Sequence, residues 1–137
     1  MDFIIWDQSF SVGVKLIDEQ HKKLFGMINK LHKTVKNINS WEAEPLENII
    51  LDLAAYVDFH FKTEEKYFAE FGYEKTEEHT AQHNFYEEKV RDFKRQYDER
   101  GEIVGGEVLV FLEDWIKGHI KVKDKEYTKC FNEHGLV

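Results

Sequence analysis

Apolar residues recur at steps of three and four in four separate stretches of this chain, and nowhere do they alternate over the length of a strand. That period is the buried stripe of an amphipathic helix. Leu24, Ile28, Leu31, Val35 and Ile38 form the first stripe, after Asp18 as the expected N-cap, which places a helix near 19–38. Asn39 and Ser40 break the pattern, and Pro45 suits a first helical turn. Leu46, Ile49, Ile50, Leu53, Val57, Phe61 and Phe68 then predict a second helix over about 43–70, ended by Gly72. A third runs from a Thr76 cap through Ala81, Phe85, Val90, Phe93 and Tyr97 to a stop at Gly101. Gly105 and Gly106 read as a turn before Val108, Leu109, Phe111, Leu112, Trp115, Ile116 and Ile120, a fourth helix ending near Lys121 or Val122. Long helices joined by short loops predict an all-α, antiparallel up-down-up-down four-helix bundle. Residues 1–17, with Trp6, Phe10, Val12 and Val14 but no helical period, read as an ordered N-terminal arm, and 124–132 as a short C-terminal helix. The whole, 1–137, is expected to be one domain.

Composition narrows the partners. Nineteen basic against twenty-seven acidic residues give a net charge of −8, which disfavours nucleic acid and anionic membranes. The single cysteine, Cys130, excludes a disulfide framework and a thiolate zinc site, and reads as a small apolar residue. The start of the chain lacks a basic cluster and a long apolar core, and no apolar run approaches the roughly 20 residues that cross a bilayer. The expectation is a soluble, monomeric, cytoplasmic protein.

Histidine carries the chemistry. His60 and Glu64 lie four apart, as do His79 and His83, so each pair shares a helix face and can reach one ion. His21 opens the first helix, and His119 lies near the end of the fourth with Asp124 five residues on. Five residues turn a regular helix about 140° off its starting face, so both can point inward only if the helix ends or deforms between them, for which Lys121–Lys123 is the expected place. Gly118 can help the chain leave regular helix.

Buried imidazoles and carboxylates without a cation would cost several kcal/mol each. Five histidines and two carboxylates are too many for one ion and suit two. With both carboxylates and an oxygen as bridges, they fill all but one of the about 12 positions of two octahedral ions. The position left open suits one small ligand, and dioxygen is the natural candidate. His32 falls on the face of His21 but about 16 Å further along the helix, too far to share its ion. His134 reads as a surface residue and Asp18 as a cap, not a ligand. Tyr127 and Trp115 are candidates to hydrogen-bond the ligating imidazoles.

The combination His21, His60-x-x-x-Glu64, His79-x-x-x-His83 and His119-x-x-x-x-Asp124 resembles the hemerythrin family, in its stand-alone bacteriohemerythrin type. Trp6, Val12-Gly13, Asp18-Glu19-Gln20-His21, Glu64-Glu65 and Trp115 to Ile120 extend the likeness over nearly the whole chain. The resemblance implies two iron ions with a bridging oxo or hydroxo group. His79, His83 and His119 would hold the saturated iron, His21 and His60 the open one, and Glu64 and Asp124 would bridge. It places Leu24, Phe61, Trp115, Ile116 and Ile120 around an oxygen pocket. It also implies reversible dioxygen binding for storage, transport or delivery in the cell, not enzymatic turnover. The alternatives are an oxygen or redox sensor acting through a separate partner, a di-iron oxidase, a peroxide or nitric-oxide reductase, and an iron store. Neither Glu-x-x-His, the motif of ferritin-like oxidases, nor the His-Glu-x-x-His of zinc peptidases occurs.

Overall fold

The computed structural model describes residues 3–37, 45–101 and 104–137. Its main elements are α1 (Lys15–Lys36), α2 (Leu46–Phe71), α3 (Thr76–Arg100), α4 (Val104–Trp115) and a short α5 (Thr128–Glu133). Neighbouring helices pack in a closed ring, α1 on α2, α2 on α3, α3 on α4 and α4 on α1, and no strand occurs among the described residues. This is the four-helix bundle that the periodicity predicts. No helix among the described residues is long and apolar enough to cross a membrane.

Several boundaries differ from the sequence expectation, each for a local reason. Helix α1 starts at Lys15, so Asp18 lies in its first turn and is not the cap. The Asp18 carboxylate instead reaches back, accepting the Val12 N–H at 2.8 Å and the Ser11 hydroxyl at 2.6 Å, which ties the arm to the helix. Thr76 is the first residue of α3, not its cap, and its hydroxyl donates to the Tyr73 carbonyl at 2.5 Å. Ile38, the break at Asn39 and Ser40, and the expected helix start at 43 lie outside the described residues. Gly72 ends α2 in the left-handed region, φ 62°, where a side chain would be strained.

The third stripe holds in its second half, where Val90 is buried and Phe93 and Tyr97 pack on the core, and departs from the expected one in its first half. Ala81 and Phe85 face solvent, Phe85 with 53% of its surface exposed, while His79, His83, Glu87 and Val90 face inward. An inner face built of ligands and a carboxylate lacks the apolar contrast by which periodicity is read.

Gly105 and Gly106 lie inside α4, not in a turn before it. A Cβ on Gly105 would stand 2.6 Å from Val35 Cγ2 and 3.3 Å from Leu46 Cδ2, so this glycine lets three helices approach, whereas Gly106 has open space. Gly105→Val should therefore destabilise the bundle by about 1–3 kcal/mol through overpacking. Gly106→Ala should be neutral or stabilising by up to ~1 kcal/mol. Urea midpoints of the two variants check the opposite signs.

The arm is ordered from Phe3. The Asn29 side-chain amide grips the Ile4 backbone, accepting its N–H at 2.9 Å and donating to its carbonyl at 2.8 Å. Lys22 lies over the Trp6 ring, and Phe10 packs edge-on against Phe25. Two apolar clusters fill the interior. The larger includes Leu24, Phe25, Leu53, Phe61, Leu112 and Trp115, and the smaller includes Val12, Ile17, Phe68, Tyr127 and Phe131. Histidines meet both: Phe61 stacks on His83 at 3.9 Å, and Phe68 lies edge-on to His79 at 4.9 Å.

The polypeptide does not leave helix between His119 and Asp124; it widens. From Ile116 to Lys123 the backbone is π-helical, and a 3-10 turn, Asp124–Tyr127, follows. The Asp124 N–H bonds to the His119 carbonyl, five residues back. A π-turn brings residues five apart nearly above one another, which resolves the 140° mismatch of a regular helix. Gly118 lies inside this segment.

Candidate metal centre

Three α-helices, the π-helical segment and the 3-10 turn after it each bring donor side chains to one buried point. His21 comes from α1, His60 and Glu64 from α2, His79 and His83 from α3, His119 from the π-helical segment and Asp124 from the turn after it. All seven are buried, none with more than 3% of its surface exposed. Their donor atoms form two groups, His79, His83, His119 and Asp124 in one and His21, His60, Glu64 and Asp124 in the other. Asp124 belongs to both.

Each carboxylate lies between histidines of the two groups. Asp124 Oδ1 lies 2.9 Å from both His79 Nε2 and His119 Nε2, while its Oδ2 lies 3.1 Å from His21 Nε2. Glu64 Oε1 lies 3.3 Å from His60 Nε2 and 3.2 Å from His83 Nε2, one from each group. Close as they are, many of these atoms are not hydrogen-bonded: both Glu64 oxygens, Asp124 Oδ2, His83 Nε2 and His119 Nε2 are buried without a hydrogen bond. Orphaned buried donors and acceptors are costly, so their convergence calls for a cation. Two donors each about 2.1 Å from an ion and at right angles to one another are about 3 Å apart. The observed spacings match that, and the residues fit a pair of metal ions.

Three of four groups at the centre, His60, Glu64 and Asp124, are held in the charge state that a cation needs, while His83 is held protonated by its carboxylates until an ion takes the proton's place. Burial pushes the His60 imidazole down to about 4, so it is neutral with a free lone pair at neutral pH. Burial and the Asp124 charge would raise the Glu64 carboxyl, but His60 and His83 beside it outweigh them and hold it at about 2. Burial would raise Asp124 too, yet His119, His21 and His79 hold it well below the ordinary carboxylate range. His83 is desolvated, but Glu64 and Glu65 on its two nitrogens raise it to about 9. Both carboxylates are anionic and can balance the charge of a cation.

The outward ring nitrogens show what sequence reasoning missed. His60 Nδ1 donates to Gln20 Oε1 at 2.7 Å, His83 Nδ1 to Glu65 Oε2 at 2.9 Å, and His119 Nδ1 to Gln82 Oε1 at 2.8 Å. Each bond leaves Nε2 to face the centre. The expected partners, Tyr127 and Trp115, do not serve: the Tyr127 hydroxyl and Trp115 Nε1 are buried without a hydrogen bond. Their rings pack instead, Tyr127 on Phe131 and Trp115 on Tyr86. Burial first, then the charges of Glu64 and Asp124, raise the Tyr127 hydroxyl well above its ordinary value and keep it protonated.

Leu24, Phe61, Trp115, Ile116 and Ile120 are all buried in the larger apolar cluster, and Phe61 contacts His60, His83 and His119 directly. His32 stays apart, its ring tilted against that of Phe3 at 4.8 Å. His134 packs on Phe71 and its Nδ1 meets the Cys130 carbonyl.

Comparison with known proteins agrees with this geometry. Residues 12–130 match the model of the hemerythrin HHE cation binding domain. The bacteriohemerythrin of Clostridium acetobutylicum is 35% identical over 127 residues, covering 90% of this chain and 97% of the relative. That of Methylococcus capsulatus is 31% identical, covering 96% and 99%. The crystal structure of wild-type hemerythrin superposes with a TM-score of 0.80 at 28% identity, covering 93% of this chain and 97% of that one. The matched stretch contains every helix that brings a donor to the buried point, and the chain belongs to the hemerythrin family of non-haem di-iron proteins.

Proposed function

We propose that this chain binds dioxygen reversibly, for storage, transport or delivery, as a monomer of one domain over 1–137 acting in the cytoplasm. His79, His83 and His119 would hold one iron and His21 and His60 the other, with Glu64 and Asp124 shared between them. The observation that carries this reading is the unequal donor set, three imidazoles on one side of Asp124 and two on the other. The side with fewer histidines keeps a position for a small ligand. Bound there, the iron pair would supply the redox chemistry that reversible gas binding needs.

The protein's own part is to hold and to exclude. The paired carboxylates balance the ions, and the imidazoles, neutral donors, add no negative charge that would favour permanent oxidation. Leu24, Phe61, Trp115, Ile116 and Ile120 keep the ligand position dry, so that water and outside reductants do not displace the bound gas. A carrier of this kind releases what it takes unchanged, and so is not an enzyme.

Anaerobic reconstitution with ferrous iron, followed by cycles of oxygen and argon, tests the proposal. The expected result is two irons per chain and a visible band that appears under oxygen and fully disappears under argon. Prompt irreversible oxidation would point to a sensor or an enzyme, and loading well above two irons to a store. Ile116→Ala should leave iron loading intact and speed autoxidation several-fold by admitting water, while lowering stability by about 2–5 kcal/mol. An unchanged autoxidation rate would make Ile116 ordinary core.

A further inference from the structure

The three outward acceptors are not chemically alike. Glu65 presents a carboxylate, which can only accept, so its bond to His83 needs no further arrangement. Gln20 presents an amide, which accepts at one end and donates at the other. The wrong end turned toward His60 would demand the opposite ring tautomer and put the ring proton on Nε2, where the ion belongs.

The structure contains a device that decides this. The Phe59 carbonyl can only accept, and the Thr63 hydroxyl donates to it at 3.1 Å. With its proton so used, Thr63 Oγ1 can only accept from Gln20, whose Nε2 lies 3.3 Å away. The Gln20 amide must then turn its oxygen to His60 Nδ1, which donates across 2.7 Å. The Gln20 backbone is itself pinned, since the Tyr56 hydroxyl donates to its carbonyl at 2.9 Å. Direction runs unbroken from a helix carbonyl through three side chains to the imidazole lone pair.

We propose that Thr63 and Gln20 are positioning residues that fix His60 as its Nδ1–H tautomer through this one-way hydrogen-bond chain. Nε2 is thereby left free for the ion of the two-histidine side. The inference rests on His60 being a metal ligand, but not on what the loaded centre does with oxygen. Neither Thr63 nor Gln20 touches the donor atoms of the two groups through its own ligating chemistry, so both act through His60.

The tautomer is read directly by histidine 15N NMR on the metal-free protein, and the consequence by Zn2+ titration of the same sample. Wild type should show His60 protonated on Nδ1 alone. Thr63→Val keeps the side-chain shape and removes the hydroxyl, which frees the Gln20 amide to turn. It should give a mixture of tautomers and weaken binding at the two-histidine site about tenfold, the scale seen when a partner of a ligating residue is lost. Thr63→Ser should restore both readouts. Gln20→Leu, with no acceptor, should abolish the Nδ1–H preference at unchanged helicity. A wild-type His60 carrying its proton on Nε2 or on both nitrogens would overturn the proposal, as would a Thr63→Val protein with wild-type tautomer and affinity. Two zinc ions bound with His60 as Nδ1–H, in a chain whose iron form fails to release oxygen, would sink the oxygen reading and leave this inference standing. No zinc uptake at the His60 site would sink both.

Discussion

Asp124→Ala should empty both iron positions at once, taking the reconstituted protein from two irons per chain to near none. Asp124 belongs to both donor groups, with Oδ1 facing His79 and His119 and Oδ2 facing His21, whereas Glu64 faces one histidine of each group through a single oxygen, Oε1. Loss of a partner behind a ligand costs about 10–100-fold in metal affinity, and loss of a donor shared by two ions costs more. The alanine also leaves three buried imidazoles without their counter-charge, which costs about 3–5 kcal/mol in stability. Asp124→Asn separates the two effects, since it keeps the shape and one acceptor oxygen and removes the charge. It should fold and still lose most of its iron. Glu64→Ala and His60→Ala should each lower iron content and abolish oxygen binding. Iron counted per folded chain is the measurement, and two irons retained in Asp124→Asn would refute the bridging role.

Where the helices are apolar on one face, the pattern of residues states the fold. The stripe of α2 from Leu46 to Phe68 and that of α4 from Val108 to Trp115 are buried as their spacing requires. In the first half of α3 the apolar pattern misleads, with Ala81 and Phe85 outside, because the inner face there is His79, His83 and Glu87, which a hydrophobic period does not register. The seven donor positions were legible because two pairs at four-residue spacing are fixed by helix geometry. The remaining pair, His119 and Asp124, demanded a distortion. Helix arithmetic places it near Lys121–Lys123, which lies within the π-helix, though that segment begins earlier, at Ile116, and includes His119 itself. The outward acceptors were not legible, for a geometric reason. Gln20 precedes His21 but serves His60, Glu65 follows Glu64 but serves His83, and Gln82 precedes His83 but serves His119. A neighbour in sequence points about 100° away around its helix, so it meets the ligand of the adjoining helix. Only the packing shows which one.

Stripping the metal with a chelator at neutral pH should lower Tm by roughly 15–30 °C. An ion present at 1,000 times its Kd stabilises the folded state by about 4 kcal/mol, and two such ions by about twice that. In a chain of 137 residues one kcal/mol moves Tm by about 2–4 °C. What is left behind is a set of buried orphaned groups, and their titration predicts how the stripped protein responds to pH. His60 is lowered from 6.5 to about 4, so its contribution is complete above 6.5 and is lost as pH falls toward 4. His83 is raised from 6.5 to about 9, so its contribution is complete below 6.5 and is lost as pH rises through 9. Glu64 is lowered from 4.5 to about 2, which adds a further loss below 4.5. These slopes have opposite signs and meet near pH 6.5, where the urea midpoint of the metal-free chain should peak. In the loaded protein the imidazole nitrogens are held by metal and not by protons, so the midpoint should be flatter across the same range until acid displaces the ions. A metal-free midpoint that climbs steadily from pH 4 to 9 would mean that the paired carboxylates do not hold His83, and that the charges at this centre are arranged differently from the geometry described above.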